Sequence, residues 1–449
     1  MRTLFCALSC LLLTSTAIHA AETVSPSPQQ ISEYEASSEK TRINLLIRLA
    51  NAGQHELAAS LLQRYPLTGN FAANRTLFIE GLILKARGDL TSAAKNFRAA
   101  LANDPGLTLV RAELAQTLVL LQEDESAIHH LNLLMAEAPN EAAAQGVRSF
   151  IDTIDARSPF KFNGYVSAAP STNINNGGTV KTIYDPVTNK VVTYRPDALK
   201  QSGIGFAGGL NAGYSKRLGN KFSLVLGGGV DLRLYDDSDY NSYTASQSAE
   251  LRHLIDEGYV GLGIVASESM KTDQLGLSYY SYGPRVSLQK AFTAKDRLNV
   301  STVYEWRKYT DNPIGNGEAL MVNGSWDHAF SADFAASLDA GFDRLDTEIT
   351  YNSYSAYSVG LGLYRELPMG ITANLHGGVQ LSKFDGIFPI INIDREDKRY
   401  SGSVTITKRD FNWWGYAPGF TYSYVQNDSN IPLYDFNSHA IEFKLSKDF

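Results

Sequence analysis

From Pro159 to the end of the chain, apolar residues recur at every second position over segments about ten residues long. Phe222, Leu224, Leu226, Val230, Leu232 and Leu234 share one face, with Ser223, Gly227, Gly229, Asp231 and Arg233 on the other. Ile371, Ala373, Leu375, Val379 and Leu381 oppose Thr372, Asn374, His376, Gln380 and Ser382 in the same way, and Phe334, Ala336, Leu338, Ala340 and Phe342 oppose Asp333, Ser337 and Asp339. A strand with one apolar face must cover it with a second sheet or turn it toward lipid. Repeated segments of this length, with small and polar residues on the second face, predict a transmembrane barrel. A soluble sandwich after a helical domain is the competing arrangement, and it would have to bury every one of these faces.

Fourteen such segments follow one another, and their connectors alternate in length. Short ones lie near Leu218-Gly219-Asn220, Ile255-Asp256, Thr293-Ala294, Ser331-Ala332, Leu367-Pro368 and Arg409-Asp410. Long ones include Pro170 to Lys200, Asp343 to Tyr351, Asp385 to Arg395 and Asn427 to Leu433. Outer-membrane barrels are built with short turns toward the periplasm and long loops outside. An even strand count then returns the chain to the side from which it started. The final segment, Ile441 to Phe449, would place Ile441, Phe443, Leu445 and Phe449 against lipid, with Phe449 as a terminal aromatic signal for the barrel assembly machinery. Trp326 and Trp413-Trp414, next to short turns, suit an interfacial aromatic girdle.

Upstream of Pro159 the period changes to that of helices. Tyrosine and glycine mark the same boundary: 22 of 24 tyrosines and 30 of 36 glycines come after residue 160. Gly81, Gly88, Ala93, Phe97, Ala100 and Pro105 fit a 34-residue tetratricopeptide (TPR) unit, and Pro105 to Pro139 repeats that length. Gly53, Ala58 and Leu62 mark a degenerate earlier unit, and Asn140 to Arg157 a closing helix. The expected organisation is therefore a signal peptide at 1–20, a periplasmic TPR-like α-helical domain at 30–157, and a 14-stranded antiparallel β-barrel at 159–449, an α+β chain of two domains. Stacked helix pairs present a concave face. The first-helix positions expected to line it are Arg75, Phe78, Leu82 and Lys85, then Leu109, Ala112 and Gln116. His129-His130 is a poor metal pair, because neighbours on a helix point about 100° apart.

Several function classes lose their basis. The net charge of −7, without any run of Lys and Arg, argues against a nucleic-acid partner. Cys6 and Cys10 both fall within the first ten residues, which removes thiol nucleophiles, disulfides and cysteine metal sites from the rest of the chain. His253, His328, His376 and His439 have no Ser, Asp or Glu at a motif spacing, so no catalytic residue, metal site or cofactor is assigned.

A short TPR domain leading into a fourteen-stranded barrel resembles the surface lipoprotein assembly modulator (Slam) family of Gram-negative outer-membrane proteins, the type XI secretion translocons. The stretch Asn427, Asp428, Ser429, Asn430, Ile431, Pro432, Leu433, Tyr434, Asp435 is similar to the family's segment before its last strand. The resemblance implies activity without catalysis: a client surface lipoprotein or secreted protein is recruited by the TPR domain and passed through the barrel to the cell surface. The implied partners are that client, outer-membrane lipid, the barrel assembly machinery and periplasmic chaperones. A polysaccharide exporter, which also joins TPR units to a barrel, and a diffusion porin are the alternatives.

Overall fold

The computed structural model describes residues 28–186, 188–271, 278–310, 315–389, 391–409, 411 and 416–446. The expected signal peptide at 1–20, Trp413-Trp414 and Phe449 lie outside the described residues.

Eight helices come first among the described residues: α1 (Pro28–Ala36), α2 (Glu39–Asn51), α3 (His55–Arg64), α4 (Ala72–Ala86), α5 (Leu90–Asn103), α6 (Thr108–Leu120), α7 (Asp124–Met135) and α8 (Glu141–Arg157). Side-chain caps set several starts. Ser38, Asp89 and Asn140 accept from the backbone N–H of Thr41, Ser92 and Ala143 respectively. The ends repeat as well, with Gly53, Gly88 and Gln122 in the left-handed region at φ of 78°, 83° and 61°. Gly81 is required by packing, since a Cβ there would lie 2.4 Å from the Phe97 ring. Two apolar cores result, one around Ile79, Phe97 and Leu114 and one around Leu131, Val147 and Ile154; both are built from residues of the helical domain alone.

The alternating half closes into a barrel of fourteen antiparallel strands. They are β1 (Phe160–Ser171), β4 (Gly203–Leu218), β5 (Phe222–Tyr235), β6 (Ser242–Ile255), β7 (Gly258–Met270), β8 (Tyr279–Ala291), β9 (Asp296–Tyr309), β10 (Gly317–Ser331), β11 (Phe334–Thr347), β12 (Tyr354–Leu367), β13 (Ile371–Phe388), β14 (Ile393–Lys408), β15 (Ala417–Ser429) and β16 (Phe436–Ser446). Consecutive strands pair, and β1 closes the ring on β16 with registers such as Tyr165↔Ser446 and Ala168↔Phe443. Leu226, Val230, Leu234, Leu338, Leu375 and Leu381 are exposed on the outer wall, so the wall is apolar outside. Phe160, Phe162, Phe222, Trp326 and Phe330 form an outward aromatic belt near the short turns.

The connector from Pro170 to Lys200, read from sequence only as a loop, holds a hairpin of β2 (Thr182–Asp185) and β3 (Lys190–Thr193). Asn189 makes its turn possible at φ 55°. β13 and β14 also run further into the expected Asp385 to Arg395 loop than the alternation predicts, with an irregular register between Lys383 and Ile387. Side-chain pairing sustains that outer ribbon: Arg395 bonds Asp397 at 2.6 Å and lies over the Phe384 ring.

Candidate functional site

The helical domain is fastened to the short-turn end of the barrel, and its fastening begins with one anomalous side chain. Arg111 interrupts the apolar helix α6 and is fully buried. An isolated buried guanidinium is costly without partners. Here its Nη2 donates to the Pro105 carbonyl at 2.6 Å and to Glu366 Oε2 at 2.7 Å, at the end of β12. Glu366 Oε1 accepts from the Tyr364 hydroxyl at 3.0 Å and stands 3.6 Å from both His129 Nε2 and Arg409 Nη1. His129 accepts from Arg409 and His130 Nδ1 from Arg111 at 3.3 Å, so both imidazoles serve as neutral acceptors between arginines. Burial, reinforced by Arg409, pushes His129 down to about 4 against the opposing pull of Glu366. Burial also lowers His130, aided by its neighbours His129 and Arg111.

Further contacts spread around the rim. The Met369 amide in the β12–β13 turn donates to the Ala102 carbonyl of α5. The Ala332 amide in the β10–β11 turn donates to Glu137 Oε1 at 3.0 Å. Arg148 of α8 pairs with Glu257 in the β6–β7 turn, and Asp152 accepts from Arg217 of β4 at 2.8 Å. Since the β6–β7 and β12–β13 turns are six strands apart in a ring of fourteen, the domain extends across the mouth. Between it and the lumen lies a cavity of about 470 Å³, with Asn132, Met135 and Arg148 on the helical side and Asp296, His328 and His376 on the barrel side.

The lumen wall above this cavity is polar and carries both charge signs in pairs. Arg233 bonds Glu442 at 2.6 Å, Arg252 bonds Glu250 at 2.5 Å, and Arg307 bonds Glu305 at 2.6 Å. Charges matched in this way give a wet passage without a strong net preference for one ion sign. The histidines of the barrel have separate partners: His328 with Asp296 at 2.7 Å, His376 with Asp339 at 3.4 Å, His439 with Tyr422 at 2.8 Å, and His253 against Phe222. Among the described residues no group of three or more His, Cys, Asp or Glu is arranged to hold a metal ion.

The residues expected to line the TPR groove fall into two groups. Phe78 (7% exposed), Leu82 (3%) and Ala112 (6%) are buried in the helix seams and do not face a groove. That face assignment is corrected by the packing of α4, where Phe78, Ile79, Gly81, Leu82 and Ile83 are all buried, so apolar residues cover more than one side. Arg75, Lys85 and Gln116 are on an open face but tied to neighbours. Arg75 pairs with Glu39 at 2.9 Å, and Lys85 donates to Glu113 at 2.7 Å and to Gln116 at 2.9 Å. Leu109 is 37% exposed at the start of α6.

At the opposite, long-loop end, the stretch from Asn427 to Asp435 folds into one compact loop. Asn427 Nδ2 donates to the Tyr434 carbonyl at 2.7 Å, Asp428 accepts from Gln426, and the Ser429 amide donates to Asp435. Asn430 bridges the Glu396 amide and the Asp394 carbonyl, while Ile431 is fully buried. Tyr434 stacks on Arg395 with 3.4 Å from Cζ to the ring centroid. The Pro432 and Leu433 carbonyls crowd Gly178 of the first long loop, where a Cβ would come within 2.7 Å of the former.

The five residues of the junction, Arg111, His129, His130, Glu366 and Arg409, have no local motif. The available signal was a lone arginine in an apolar helix and a glutamate just before a short turn.

Comparison with known proteins agrees with both halves. The family model described as surface lipoprotein assembly modifier matches residues 160–449, and a tetratricopeptide-repeat model matches residues 84–149. The chain is 23% identical over 384 residues to the surface lipoprotein assembly modifier 1 of Haemophilus influenzae, covering 82% of this chain and 76% of that one. It is 20% identical over 396 residues to the surface lipoprotein assembly modifier of Pasteurella multocida, covering 82% and 75%. With the hemophilin secretion modulator of Acinetobacter baumannii it shares 23% identity over 477 residues, covering 93% and 88%.

Proposed function

The chain belongs to the surface lipoprotein assembly modifier family, and from that premise we propose that it moves a client protein from the periplasm across the outer membrane to the cell surface. The observation that carries this reading is the placement of a repeat domain across the short-turn mouth of a barrel whose lumen is polar and charge-balanced. The short-turn end faces the periplasm, so the helical domain meets the client before the lumen does. The client is a surface lipoprotein or a secreted protein, two classes that appear in the names of the related proteins. A lumen with paired charges lets a polypeptide pass without holding it, and no step of the transfer calls for a catalytic group.

The family match favours this reading over the polysaccharide exporter and the porin. Deleting the gene and labelling candidate clients with a membrane-impermeant reagent is expected to remove at least one of them from the surface, with restoration by a plasmid copy. Undiminished labelling of every candidate would refute the proposal.

A further inference from the structure

The helical domain is attached to the barrel covalently at one place, by Ser158 and Pro159 between α8 and β1. In the ring of fourteen strands, β10 stands seven places from β1, directly across the mouth. There the β10–β11 turn holds Glu137 through the Ala332 amide at 3.0 Å. The nearby end of β12 holds Arg111 and His129 through Glu366. A tether on one rim, fastenings on the other and a cavity opening into the lumen between them have the geometry of a cover.

The fastening is of a kind that can release. Both apolar cores of the domain close without any barrel residue, so leaving the rim would expose neither. Charged and polar contacts dominate the rim, and domain contacts of that character permit relative motion. Nor can a folded domain lying across the mouth share that space with a client chain entering the lumen.

We propose that the helical domain is a hinged lid on the short-turn mouth of the barrel, turning on Ser158 and Pro159 and latched on the far side by Glu366 and by the Ala332 amide. A client chain that engages the domain opens the lid as it enters. The client's part in this inference rests on the function proposed above, whereas the lid itself does not.

Labelling tests the lid without a client. Ser337 lines the cavity on the lumen side and is replaced by cysteine in a full-length chain whose native cysteines are confined to positions 6 and 10. Purified protein in vesicles is then offered a polymer-linked maleimide from the side of the helical domain. Adding Glu366→Ala is expected to speed labelling at least tenfold. Glu137→Ala, which alters no barrel residue, is expected to speed it several-fold and covers the case in which the first variant misfolds. Labelling at the parent rate in the properly folded variants would overturn the lid.

A bridge between Ala102→Cys and Met369→Cys supplies the converse test in cells. Oxidation is expected to stop client display and a reductant to restore it; display unaffected by a fully formed bridge would also overturn the lid. Faster labelling in the latch variants, combined with unchanged display after gene deletion, would leave the lid standing and remove the translocation reading instead.

Discussion

Leu114 and Leu338 are the same side chain in two halves of one chain, yet the first is fully buried between helices and the second is 48% exposed on the outer wall of the barrel. The reversal extends to charge. In the helical domain most ion pairs, such as Arg75 with Glu39, lie on the surface, whereas in the barrel Arg307 with Glu305 and Arg395 with Asp397 point inward and are nearly buried. Each half obeys the same transfer energetics with a different solvent outside it. One rule of burial therefore cannot be applied along the whole chain, and the rim is where the two regimes must be reconciled. Arg111 and Glu366 do so by sharing a charge pair that belongs to the interior of neither.

Substitutions can break or sharpen that contrast. Leu114→Ala, in the tightest part of the helical core, is expected to cost about 2–5 kcal/mol, read as a lower midpoint of the helical signal in thermal unfolding with barrel folding unchanged. Leu338→Arg should act on the other half alone, at about 2–4 kcal/mol near the bilayer midplane, measured by denaturant titration of refolding into lipid vesicles. An equal response of both halves to either change would show that they do not fold as separate units.

The rim is expected to respond to pH. His129 is faced by Arg98 from α5, Arg111 from α6, His130 from α7, Glu366 and Tyr364 from β12, and Arg409 beyond β14. Because its pKa is depressed to about 4 in the docked state, the undocked state takes up the proton more readily. Docking is therefore at full strength above about pH 6.5 and weakens as pH falls from there toward 4, by up to roughly 3 kcal/mol. Faster protease cleavage at Ser158-Pro159 in acid, suppressed by His129→Gln, is the expected record; a rate flat across that window would exclude the histidine. Smallest of all should be Arg75→Ala. Its half-exposed pair with Glu39 is expected to contribute about 0.2–1 kcal/mol, a shift of the helical midpoint by a few degrees at most.

Most of the architecture could be read from local pattern. Period-two alternation with alternating connector lengths fixes fourteen strands because each strand announces its face and most announce their ends, as Phe222 to Tyr235 does and β13 and β14 do not. The TPR assignment was legible through positions such as Gly81 and Phe97, whose contact forces the small residue. The groove was not legible. Leu77, Phe78, Ile79, Leu82, Ile83 and Leu84 make α4 apolar on several sides, and periodicity alone cannot separate a client face from a packing seam. The rim cluster was legible least, since His129 and Glu366 are 237 residues apart and meet only where the helical domain abuts the barrel. His129 and His130, expected to point apart, lie with their rings 5.3 Å from each other, edge to face, His129 against Arg409 and Glu366 and His130 against Arg111.

The span from Arg157 to Phe160 has a kinetic consequence. Two intervening residues reach about 10 Å when extended, so a domain that has left the rim stays within a small volume beside it. Its effective concentration there is on the order of millimolar or above. Return is then a first-order event, blind to how many copies the membrane holds and to anything dilute in the surrounding solution. A modest set of polar contacts suffices under those conditions to keep the mouth covered most of the time. For the proposed lid, the expected rate of reclosure is therefore set by the chain itself.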